Sequence, residues 1–186
     1  IEDLVTGNIV SGYTELITSF YFDGLSDNYK LGFFQPNGGG NVEDSSQYRF
    51  KLLKWDEFTH GKIYQPDVIF KYTENNDTIS LLWSQPLVTQ YPFESKLEGY
   101  RFFSFLRDNI KDDVTKFRSF VDIQIVMTVG TTDLETYINV NQPVSGIVQE
   151  RPSFTNINNG LGLFSSRYTY VRSDIRLTDE TKTYLI

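Results

Sequence analysis

The stretch Val121-Asp122-Ile123-Gln124-Ile125-Val126-Met127-Thr128-Val129 carries an apolar side chain at every odd position and mostly polar ones between them. A period of two sends alternate side chains to opposite faces of an extended chain, so it predicts a strand with one buried face. Residues 48–52 repeat the pattern, and residues 16–22, 29–34, 68–72, 78–83, 100–106 and 168–177 do so more loosely, giving about eight strands. Composition agrees. The chain holds 12 Tyr and 15 Phe and no alanine, which removes the best helix former and favours pleated, half-buried surfaces.

Turn formers separate these segments: Asp23-Gly24, the Pro36 to Asn41 run with its triple glycine, His60-Gly61, Asn75-Asn76-Asp77, Asp108-Asn109 and Asn158-Asn159-Gly160. Their regular spacing predicts an all-β fold, mainly an antiparallel sandwich or barrel, rather than βαβ units with helical crossovers. One or two short helices interrupt it. Thr132 with Glu135 has the spacing of a capping box, and Leu134, Tyr137 and Ile138 share a face before Pro143. A helical turn is expected after Thr178, where Asp179 and Glu180 suit an N-terminus. At 186 residues, positions 1–186 read as a single β-rich domain, one that buries roughly 70% of its unfolded surface.

Charge narrows the partners. With 24 acidic against 17 basic residues, net charge −7 and no basic run, the field repels a phosphate backbone, which argues against nucleic acid. No run approaches the roughly 20 apolar residues of a membrane span. Zero cysteines exclude disulfides and thiolate chemistry. The start at Ile1-Glu2-Asp3, without methionine or an apolar leader, reads as a mature or trimmed chain from which any targeting signal has been removed or lies upstream.

Chemistry-bearing patterns are sparse. Gly160-Leu161-Gly162 lacks the Gly-Lys-Ser/Thr of a phosphate loop and the third glycine of a dinucleotide fingerprint, so it reads as a turn whose Asn and Gly residues supply positive φ. His60, the single histidine, leaves no partner for a zinc site, and no Gly-x-Ser-x-Gly elbow accompanies it. The adjacent carboxylates Glu43-Asp44, Asp56-Glu57, Asp112-Asp113 and Asp179-Glu180 would point to opposite faces of a strand and read as solvated charge. Neither Glu74 to Asp77 nor Asn41 to Asp44 has the spacing of a calcium loop. No catalytic residue, metal or cofactor is assigned. Trp55, Trp83 and Tyr91 are candidates for a stacking platform, against the alternative that such rings fill a β core.

Three stretches together resemble the C-terminal portion of a family of uncharacterised Bacteroidetes lipoproteins, a domain of unknown function. They are Phe20 to Tyr29, with Asp23, a short turn and Asn28-Tyr29; Trp55 to Lys62, with Asp56-Glu57 and Gly61-Lys62; and Asn156-Ile157-x-x-Gly160-x-Gly162-x-Phe164. The resemblance implies an outer-membrane or periplasm-facing lipoprotein whose lipid anchor and an immunoglobulin-like domain lie upstream, encoded beside TonB-dependent receptors. It carries over no catalytic residue. The function expected is a non-enzymatic surface module binding a partner such as an outer-membrane transporter or its nutrient. A structural or adhesive role ranks second, and a hydrolase using Asp56 and Glu57 third. Leu161, Leu163 and Phe164 are expected to anchor the Asn-Gly turn to the core.

Overall fold

The structure, a computed structural model, describes residues 6–19, 29–36, 47–113, 115–141 and 154–185. Asp23-Gly24, the triple glycine, Glu43-Asp44, Pro143 and most of the first resemblance stretch lie outside the described residues.

The chain is mainly β. In order it forms β1 (Ser11–Gly12), β2 (Lys30–Leu31), β3 (Phe50–Lys54), β4 (Ile63–Glu74), β5 (Asp77–Trp83) and β6 (Glu94–Glu98). Then come α1 (Gly99–Asn109), β7 (Arg118–Gly130), α2 (Thr132–Asn141), β8 (Ile157–Asn158), β9 (Arg167–Leu177) and α3 (Asp179–Thr183). A five-stranded sheet runs β2-β9-β7-β4-β5, and β1-β8 and β3-β6 form separate two-stranded sheets. The β1-β8, β3-β6 and β4-β5 ladders are antiparallel, whereas β2 pairs parallel with β9 through Lys30↔Arg176 and Leu31↔Leu177.

The chain divides into two compact units, each discontinuous in sequence. One comprises residues 1–20, 57–64 and 128–169; the other comprises residues 21–56, 65–127 and 170–186.

The leading alternation is realised from Ile123 onward, with Ile123, Ile125, Met127 and Val129 all fully buried. It slips upstream of that point, because Asp122 is buried as well and Val121 is not on the core face. The same slip occurs in β9 at Asp174, whose φ of 62° bends the strand before Ile175 and Leu177 enter the core. The Asp174 N–H donates to Asp122 Oδ2 at 3.4 Å, joining the two irregularities. The β4-β5 hairpin closes through Asn75 and Asn76, at φ 50° and 76°, with Glu74 opposite Asp77. Two left-handed residues in a two-residue loop make a turn whose twist matches the strands.

Two expectations fail. Residues 100–106, read as a strand, lie in α1. Aromatics had suggested a strand, yet the buried positions Gly99, Phe102, Phe103 and Leu106 follow helical spacing, and the helix contains no β-branched residue. Asp108-Asn109 accordingly ends a helix rather than linking strands. Residues 16–19 form no strand, and the strand β6 was not anticipated.

Candidate functional site

A concavity of about 720 Å³ lies within the second unit between the sheet and α1. Its floor is set by strand geometry. Phe70 and Tyr72 project from β4 two residues apart, and Arg118 and Phe120 do the same from β7, with Arg176 from β9 at the margin. Phe103, Leu106 and Arg107 of α1, with Ile110 and Lys111 just beyond it, form one wall; Lys182, Tyr184 and Leu185 form another. This volume lies within the range of about 300–1,000 Å³ typical of small-molecule sites.

Ring packing fixes the walls. Phe70 and Phe120 have centroids 5.6 Å apart. Tyr184 stacks on Phe34 at 4.1 Å and meets the edge of Phe103 at 4.7 Å. Its hydroxyl is 2.9 Å from that of Tyr48. Burial, and next the Tyr184 hydroxyl, pushes the Tyr48 phenol above its usual value, while the charge of Arg107 opposes this.

Five cations line the cleft, Arg107, Lys111, Arg118, Arg176 and Lys182, against the single carboxylate Asp112. In a chain of net charge −7 this is a local inversion of sign. Three of the five have partners. Arg118 Nε lies 2.8 Å from Glu74 Oε2, which is also held by Lys116 through Oε1 at 2.7 Å. Lys116 first, then Arg118, keeps the Glu74 carboxyl below the usual range. Arg176 Nη1 donates to the Val121 carbonyl at 2.8 Å, and Lys182 lies 3.5 Å from Asp179.

The residues singled out from sequence lie elsewhere. Trp55 is 5% exposed, and Trp83 packs its ring on Phe105, Phe102 and Phe33. Trp55 is therefore a core residue and Trp83 half-buried against other rings, and with only Tyr91 exposed, against Phe93, no three-ring platform forms. Asp56 is exposed, and Glu57 forms an ion pair with Lys62. Neither lines the cleft. Gly61 is buried and donates its N–H to Phe58. His60, at φ 62°, pairs through Nδ1 with Glu15 at 2.5 Å. Among the described residues no group of three or more acidic or histidine side chains could hold a metal ion.

The Asn-Gly motif is a self-contained turn. Asn156 clamps Phe164 from both sides, its amide donating to the Phe164 carbonyl at 2.6 Å and its oxygen accepting the Phe164 N–H at 2.7 Å. Thr155 Oγ1 accepts from the amides of Ile157 and Gly162, and Asn159 donates to the Ile9 carbonyl. The amide that an anion would have sought at Gly162 is thus already taken. Positive φ falls on Asn159 (55°) and Gly162 (136°), not on Gly160. A Cβ on Gly160 would instead meet Ile157 at 2.9 Å. The expected anchoring fails at Leu161, 89% exposed, and Phe164, 51% exposed, while Leu163 is half-buried.

A second concavity of about 280 Å³, lined by Gln85, Glu94, Lys96 and Arg101 among others, is smaller and of mixed charge. The main cleft went unread because its α1 wall sat in a segment taken for a strand. The spacing of Phe102, Phe103, Leu106 and Ile110 was the signal that could have revealed it. Comparison with protein families, curated proteins and solved structures gave no match for this chain.

Proposed function

We propose that this protein is a non-catalytic binding module that holds a small molecule in the cleft between α1 and the sheet. The observation that carries this reading is the cleft itself, in which aromatic and aliphatic walls surround converging cations in an otherwise acidic chain. Rings supply contact area and polar groups fix orientation, which is the composition of a ligand site. Its lining residues include one carboxylate and no histidine, so the lining offers neither a carboxylate pair nor an imidazole base.

The cellular setting is proposed from the resemblance described above: a lipid-anchored surface or periplasm-facing protein serving an outer-membrane transporter, with the ligand as its nutrient. Exposed apolar side chains at Tyr13, Leu16 and Leu161 are compatible with a protein partner. The test is thermal melting against a panel of small acids, sugars and bases, run in parallel on Phe120→Trp, whose larger ring obstructs the floor of the cleft. A compound that raises Tm in the native protein and less or not at all in the obstructed variant supports the reading. A panel without any such compound defeats it.

A further inference from the structure

The five cations of the cleft are not equivalent, and the difference specifies a ligand. Arg118 is committed to Glu74, Lys182 lies beside Asp179, and Arg176 donates to a backbone carbonyl. Among the described residues, Arg107 and Lys111 have no ion-pair partner within 4 Å. Both are exposed, four positions apart where α1 ends. Cations at a helix C-terminus commonly serve its free carbonyls. One of those carbonyls already has a donor here, since the Ile110 N–H reaches the Leu106 oxygen at 2.8 Å, and the Asn109 side chain caps the preceding one, Phe105, at 2.8 Å.

We propose that Arg107 and Lys111 hold the anionic group of the ligand, and that the ligand is a monoanion with a flat apolar body, such as an aromatic or alicyclic carboxylate. This rests on the reading of the cleft as a ligand site. Two uncommitted cations against the single lining carboxylate, Asp112, leave one positive charge uncompensated at that end. The apolar body lies along Phe120, Phe103 and Tyr184, the rings that line the rest of the cavity. The cluster of cations focuses a positive field on the cleft, one that added salt screens because both side chains are exposed. Arg118 is a scaffold cation that ties β7 to the end of β4 through Glu74.

The probes are 2-naphthoate and its neutral counterpart 2-naphthamide, titrated calorimetrically into the native protein, into the double variant Arg107→Gln/Lys111→Gln, and into Lys54→Gln, at an exposed lysine outside the cleft, as a control. The expected result is that native protein binds naphthoate about tenfold or more tightly than naphthamide, as a charge-assisted contact warrants. The double variant brings naphthoate down to the affinity of naphthamide without altering the latter, and Lys54→Gln changes either by less than about threefold. Equal binding of the two probes to native protein, or an unchanged naphthoate affinity in the double variant, overturns the proposal while leaving the cleft as a ligand site. Failure of both probes to bind overturns the proposal together with the reading on which it rests. Both side chains are exposed, and a native melting curve for the double variant verifies its fold.

Discussion

The helices α1 and α2 are similar in length, 11 and 10 residues, and opposite in almost everything else. α1 has no side-chain N-cap and no acidic residue in its first turn, yet it buries Gly99, Phe102, Phe103 and Leu106. α2 has Asp133 and Glu135 in its first turn and buries no residue. Even the capping box that announced α2 is not formed as read, since Thr132 is the first helical residue and the Glu135 N–H goes to the Thr131 carbonyl. Local signals announce a helix whose neighbours contribute little; a helix held by packing can dispense with them.

How α1 is held is visible at its start. The Gly99 N–H donates to the Arg49 carbonyl at 2.7 Å, and the Arg49 N–H donates to Phe33 at 2.9 Å. Three backbones converge so closely that a Cβ on Gly99 would lie 2.2 Å from the Phe33 oxygen and 2.7 Å from that of Arg49. Downstream, Phe102 stacks on Phe33 at 4.4 Å and packs against Phe70 at 5.8 Å and Trp83 at 5.8 Å.

The contrast can be broken from either side. Phe102→Ala is expected to cost about 4 kcal/mol, because it empties a fully buried site ringed by aromatics. Chemical denaturation measures this loss, and one below about 1 kcal/mol would mean that α1 is no better packed than α2. Gly99→Ala adds one methyl group and is expected to cost about 3 kcal/mol, since only backbone stands in its way. The same denaturation series reads it, and a neutral outcome would place the first turn of α1 farther from Arg49 and Phe33. The smallest effect belongs to α2. Tyr137→Gly, at a side chain 38% exposed, is expected to cost roughly 0.5 kcal/mol through helix propensity alone. A loss above about 2 kcal/mol in that variant would show that α2 shares in a core after all.

The same contrast explains what could be read in advance. The strands β4, β5, β7 and β9 were legible because their alternation is written in adjacent residues and burial follows it, as at Val68, Phe70 and Tyr72. The Asn75-Asn76 turn was legible for the same reason. α1 was not, because Phe and Tyr suit either a strand or a buried helix, and Phe33 and Arg49 decide between them from far along the chain. The cleft depended on α1 and went unread with it. Trp55 and Trp83 were conspicuous as residues, but the first is buried and the second is half-buried with its ring packed on Phe105. The Asn156 motif was read correctly as a turn, although its exposed Leu161 and Phe164 could not be inferred from their apolarity.

The parallel pairing of Lys30 with Arg176 sets the order in which the molecule can be completed. β2 is two residues long, and its partner β9 is synthesised almost a full chain length later. A pairing so distant in sequence carries a large loop-closure cost and forms late. On the ribosome, residues 30–31 therefore cannot make this pairing until translation has passed position 177.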